Sequence, residues 1–194
     1  TILKSKEKVK EMMKNLEVYY LANKSENLYF ALLGDCSQSS TEIEDFDNEV
    51  IEEGKRQVQL LNEKYKNSDF PIFNFVYRKR IWNEKEECYL GWERKRGLLN
   101  QFNEYLLGNT KNPFLTNTLE EYIENKQNSK EITESEKEKT IEIKKSIKYI
   151  ITLDADTDLI LNSALELVGA MAHILNTPVI DEKKNIVIDG YGIM

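Results

Sequence analysis

The stretch Ile147-Lys148-Tyr149-Ile150-Ile151-Thr152-Leu153-Asp154-Ala155-Asp156 decides how this chain is read. It is a short apolar run ending in two carboxylates two residues apart, and it predicts a buried strand whose carboxyl end carries a site. Helix signals follow: Asp158 as a cap, then Leu161, Leu165, Val168, Ala172 and Leu175 on one stripe that stops before Pro178. Ile186-Val187-Ile188 predicts a last short strand. Strands alternating with helices define an α/β domain with a mostly parallel sheet.

Upstream of the deciding stretch, residues 125–145 are almost free of apolar side chains and read as a polar, mobile connection. Before it the alternation continues. Val9, Met12 and Met13 give a helix over 4–15, and residues 16–21 read as a strand. The run Leu28-Tyr29-Phe30-Ala31-Leu32-Leu33 predicts a strand covered on both faces, ending at Gly34-Asp35. Phe46, Val50, Val58, Leu61 and Tyr65 share one stripe of a long helix with Asp45 as its N-cap. Residues 70–77 are aromatic and β-branched, a third strand that feeds Arg78-Lys79-Arg80. A surface hairpin over 82–90 follows, then a helix over 93–107 with Gly108 at its end, and a short helix over 119–123. The prediction is a three-layer α/β fold, one sheet with helices on both faces.

Composition bounds the function. The 194 residues can bury roughly 70% of their unfolded surface, enough for one core. A net charge of −7 makes the chain a poor candidate for holding nucleic acid by phosphate neutralisation but leaves room for a local basic patch around a small anion. Cys36 and Cys88 read as reduced thiols rather than a disulfide framework. No apolar run reaches the ~18 residues that cross a bilayer, and there is no signal-peptide core.

Three features could carry chemistry. Asp154 and Asp156 supply the oxygen ligands that a divalent cation prefers, Mg²⁺ or Mn²⁺, with substrate phosphates and water completing the shell. The plainer reading makes this Asp-x-Asp a turn that caps the next helix. An EF-hand is excluded, because Leu159 and Leu165 stand where glycine and glutamate would be needed. A haloacid-dehalogenase-type phosphatase would suit Leu153-Asp154-Ala155-Asp156-Thr157, although that fold carries its motif on the first strand. A GT-A glycosyltransferase places the motif deep in the domain, after an acidic turn and a basic turn, and that order is present here. The basic turn is Gly91-Trp92-Glu93-Arg94-Lys95-Arg96-Gly97, three cations at a helix start, where backbone N–H groups and the dipole favour a diphosphate. Its plainer reading is a charged helix start with Trp92 packed on the core. His173, the one histidine, reads as a packing residue on an apolar helix.

The string Leu90-Gly91-Trp92-Glu93-Arg94-Lys95-Arg96-Gly97-Leu98-Leu99-Asn100 resembles the glycosyltransferase domain of cyclic β-1,2-glucan synthases. So do the strings 149–157 and 167–178, the closing Gly190-Tyr191-Gly192-Ile193, and the earlier residues 16–23 and 30–35. The resemblance implies a Rossmann-like GT-A sheet and inverting transfer of glucose from UDP-glucose to a growing β-1,2-glucan chain. It implies a large parent protein with further domains at the cytoplasmic face of a bacterial inner membrane. Carried over residue by residue, Asp154 and Asp156 match the metal- and UDP-binding motif and Asp35 resembles the uracil-contacting aspartate, while the basic turn would supply Lys95 or Arg96 as additional stabilisation of the diphosphate.

Against that pattern the chain reads as a soluble fragment, incomplete at both ends. A first strand would precede Thr1, and a general base, an acceptor channel and membrane segments would follow Met194. The expectation is a donor-binding part that does not itself transfer glucose, with no membrane or nucleic-acid contact of its own. The alternatives are a metal-dependent phosphatase using Asp154 and Asp156, or a non-catalytic α/β interaction module.

Overall fold

In a computed structural model the chain is described over residues 1–66, 70–128 and 146–193. It divides into two compact units. The first comprises Thr1–Val18 with Ser25–Lys148, and the second Tyr19–Lys24 with Tyr149–Met194.

The first unit is built on a three-stranded sheet of order β1-β2-β5. Strand β1 (Phe30–Gly34) pairs in parallel with β2 (Phe73–Arg78), in register from Phe30 against Phe73 to Gly34 against Tyr77. On the far side of β2 lies β5 (Phe114–Asn117), antiparallel, with Val76 against Asn117. The sheet is therefore mixed. Sequence patterning did not indicate β5, whose four residues end in two polar ones. Every residue of β2 is buried, as a central strand covered on both faces requires.

Alternation along β2 separates two packed layers. Val76 joins Phe70, Leu98, Phe102, Tyr105, Leu106, Phe114, Leu119 and Ile123 in one core cluster. Its helices are α3 (Arg94–Leu107) and α4 (Thr118–Asn128). On the opposite face α2 (Asp45–Lys64) lies so close that a Cβ on Gly54 would sit 2.4 Å from the ring of Phe75. Asn62 extends the same contact, accepting from Phe73 N (2.9 Å) and donating to Phe73 O (2.8 Å). The N-cap of α2 is Glu44, one residue before the expected Asp45, in a reciprocal capping box with Asp47. Gly108 ends α3 at φ 78°, in the left-handed conformation that its lack of a Cβ permits.

Helix α1 (Lys6–Ala22) runs straight through the strand expected over 16–21. The stripe Val9, Met12, Met13, Tyr19, Tyr20 is buried throughout, so the helical period overrides the local β propensity of Val18-Tyr19-Tyr20. The expected hairpin is present as β3 (Ile81–Asn83) against β4 (Cys88–Leu90), with Trp82 edge-on to Tyr89 at 5.1 Å. Helix α4 continues to Asn128, and the rest of the expected connection, 129–145, lies outside the described residues.

The second unit contains α5 (Ser163–Ala172) and the hairpin of β6 (Val179–Asp181) with β7 (Ile186–Asp189). Residues 147–153 are not a strand, because no ladder or bridge among the described residues includes them. Residues 157–164 are instead tied to the end of α1. Tyr19 Oη donates to Thr157 O (2.9 Å), and Asn23, wholly buried, donates to Ile160 O (3.0 Å) and accepts from Ala164 N (2.9 Å). Among the described residues no helix is long and apolar enough to cross a membrane.

Candidate functional site

The carboxyl ends of β1 and β2 bring charged residues into one layer of the first unit. Asp35 follows β1, and Arg78 and Arg80 close β2 and open the hairpin. All three are buried, so Arg78 and Arg80 are not the ligand-facing cluster that their sequence position suggests; only Lys79 between them reaches the surface, against Glu42 at 3.0 Å.

Each buried cation has a carboxylate partner. Arg80 donates through two nitrogens to Asp47, which also accepts from Tyr77 Oη (2.7 Å) and Glu44 N (2.7 Å). Burial alone would raise the Asp47 carboxyl, but these donors outweigh it and hold the group below the ordinary aspartate range. Burial and the neighbouring Asp47 carboxylate push the Tyr77 phenol up. Burial, with Asp35 adjacent, also pushes the Cys36 thiol up to about 11, leaving it protonated and a poor nucleophile at neutral pH. Both cysteines are free and buried, as expected of reduced thiols.

Arg78 is held by a different set of partners. Its Nε donates to Gln101 Oε1 (3.0 Å), Nη1 to Arg94 O (2.8 Å) and Asp35 Oδ1 (3.4 Å), and Nη2 to Trp92 O. Asp35 Oδ1 also accepts from Cys36 N (3.0 Å). Asp35, Arg78 and the basic turn are thus brought together. Within that turn Glu93 and Arg94 are both left-handed, at φ 54° and 44°, a backbone state costing on the order of 1–3 kcal/mol per non-glycine residue. Gly97 must be glycine here, since a Cβ would meet Trp92 O at 1.8 Å.

The outer side of the turn faces solvent. Lys95 and Arg96 are exposed, Arg96 pairing loosely with Glu93 at 3.7 Å. Trp92 is 51% exposed rather than packed on the core. Sequence reasoning found the two cations but gave Trp92 no part in a site; its position between a glycine and a cation cluster was the available signal.

In the second unit, Asp154-Ala155-Asp156-Thr157 forms a turn closed by Thr157 N donating to Asp154 O (3.1 Å), and both carboxylates are exposed. Neither aspartate caps α5. Its N-cap is Asn162 at φ 60°, and Asp158 instead accepts from Tyr19 Oη (3.3 Å), so helix capping does not explain the pair. Among the described residues no three His, Cys, Asp or Glu side chains form a metal-holding group. Two exposed oxygen donors on one turn fit a hard divalent cation that takes most of its shell from water and phosphate, and would not suit a closed structural site. His173 is also exposed; it ends α5 and its Nδ1 accepts from Leu175 N (3.3 Å), so it is not a packing residue.

A mixed α/β chain with a basic helix start and an exposed acidic turn fits more than one class of phosphate-handling protein. No family profile matches it. It is 33% identical over 193 residues to the cyclic beta-(1,2)-glucan synthase NdvB of Rhizobium meliloti (strain 1021), a match covering 100% of this chain. The chain spans about 6% of that relative's length. The match relates the chain to one part of a glucan synthase.

Proposed function

We propose that this chain is the donor-binding part of a glycosyltransferase that builds β-1,2-glucan from UDP-glucose. The observation that carries the reading is the identity to a glucan synthase along the whole chain, a length that takes in both the basic turn and the acidic turn. In this reading Lys95 and Arg96 bind the diphosphate. Asp35 stands at the carboxyl end of β1 as the uracil-facing carboxylate; with Oδ1 engaged by Arg78 and Cys36, a base contact would come from Oδ2. Asp154 and Asp156 would hold Mg²⁺ or Mn²⁺. When bound, the metal offsets charge on the diphosphate.

The reaction fits a GT-A glycosyltransferase working with inversion. An acceptor hydroxyl oxygen bonds to the anomeric carbon as the bond to the diphosphate oxygen breaks. UDP leaves with the electron pair, and the hydroxyl proton passes to a carboxylate base. Charge grows on the leaving diphosphate, so cations fixed at a helix start act mainly as the bond breaks, where stabilisation accelerates the step. In the parent protein this chemistry would stand at the cytoplasmic face of the bacterial inner membrane, with the glucan chain and the remaining domains as partners.

Calorimetry with UDP, with and without Mn²⁺, tests the reading. Metal-dependent binding that weakens about tenfold, or 1.4 kcal/mol, in Asp156→Ala and in a Lys95→Ala/Arg96→Ala variant is expected. Metal-independent or absent binding by the wild type would sink it. Hydrolysis of p-nitrophenyl phosphate, lost in Asp154→Asn, would replace it with a phosphatase.

A further inference from the structure

We infer that Arg78 is a positioning residue: its buried guanidinium fixes the backbone of residues 91–97 and so sets where Trp92, Lys95 and Arg96 stand. The inference rests on the proposed donor role of that turn. Glu93 and Arg94 occupy left-handed backbone states, and such states persist only where the surroundings over-determine them. Arg78 supplies the constraint. Its Nη2 donates to Trp92 O and its Nη1 to Arg94 O at 2.8 Å, the carbonyls on either side of Glu93.

The guanidinium is itself held from two elements, by Asp35 after β1 and by Gln101 on α3. Gly91 and Gly97 allow the approach, since a Cβ on either would fall 2.6 Å from Nη1 or 2.7 Å from Nη2. A planar fork can bind several carbonyls in fixed directions, whereas a lysine ammonium acts as a point charge. On the outer side of the same turn, Trp92, Lys95, Arg96, Leu99, Asn100 and Asn103 line a groove of about 490 Å³. Two cations in this groove suit a nucleoside diphosphate, whose phosphates they would bind. Arg80 provides the internal contrast. It is equally buried at the same sheet end, yet it donates to Ser37 O, Glu42 O and Asp47, and to nothing in the turn.

The test compares wild type, Arg78→Lys and Arg80→Lys in the full chain, at a temperature where circular dichroism shows each folded. Amide exchange is read at Arg94 and Gly97, whose N–H groups close the turn onto Gly91 O (3.2 Å) and Glu93 O (3.1 Å), and UDP is titrated in parallel. Arg78→Lys is expected to speed exchange at both amides and to weaken UDP binding, each by at least about tenfold, while β2 amides stay protected. Arg80→Lys is expected to lower Tm and change neither. Should Arg78→Lys fail to fold, Gln101→Leu removes the Nε anchor alone and is expected to act in the same direction, less strongly. Unchanged exchange, or faster exchange with undiminished UDP affinity, overturns the inference. A wild type that binds no UDP overturns the donor reading and leaves amide exchange alone to decide the positioning role of Arg78, whereas weaker binding in Lys95→Ala/Arg96→Ala supports the donor reading separately.

Discussion

The two units use their apolar residues differently. In the first, Phe73, Phe75, Val76 and Tyr77 are wholly buried between helices that cover both faces of a sheet. In the second, between 149 and 193, Leu159 and Ala164 are the buried hydrophobics among the described residues, while Ile160, Leu161, Ile174 and Leu175 stand at least 70% exposed. Residues 30–34 and 73–78 are strands, each paired with a neighbour, whereas among the described residues nothing pairs with 147–153. Composition supplies a propensity, and a strand exists only as a pairing.

This contrast can be broken experimentally, most forcefully at the buried ion pair. Arg80→Met leaves the Asp47 carboxylate buried without its cation and is expected to cost about 3–5 kcal/mol in urea denaturation of the first unit. Loss of under 1 kcal/mol would mean that the charged layer is not part of that unit's core. Next in size, Gly54→Ala should cost about 1–3 kcal/mol through overpacking against Phe75. Asn23→Ala should cost a similar ~1–3 kcal/mol by stranding Ala164 N and Ile160 O, but its effect should appear in amide exchange of 157–164 and not in β1 or β2. Smallest of all, Leu161→Ala should change stability by less than about 0.5 kcal/mol, since its side chain is already 71% exposed. A large loss there would show that the second unit buries this residue in solution.

The acid limb of stability sharpens the same comparison. The folded Asp47 carboxyl lies below its unfolded value of about 3.9, so its contribution is complete above that pH and is lost as pH falls through the folded value. Acid titration followed by circular dichroism should show this loss in the wild type and a flattened profile in Asp47→Asn.

Much of the first unit was legible in the sequence. The stripe of α2, the continuous apolar run of β1, the turn between β3 and β4 and the Gly108 stop of α3 all follow from period and end signals. What failed did so for identifiable reasons. Val18-Tyr19-Tyr20 looks like a strand until the helical spacing on both sides is counted, and β5 is too short and polar to show. For the candidate site, residue type was readable and depth was not. Arg78, Arg80, Lys95 and Arg96 are alike on a string of letters, yet the first two lie inside the layer and the last two on its rim, a distinction made by Asp35, Asp47 and two glycines.

The placement of the two tryptophans carries a spectroscopic consequence. Trp82 on the hairpin and Trp92 in the basic turn are both about half exposed, and both belong to the first unit. Native emission should therefore already be red-shifted and change little on denaturation, while melting of residues 149–193 should pass without any tryptophan signal. A nucleotide bound in the groove beside Trp92 would quench that residue's share of the emission, giving a binding readout built into the chain.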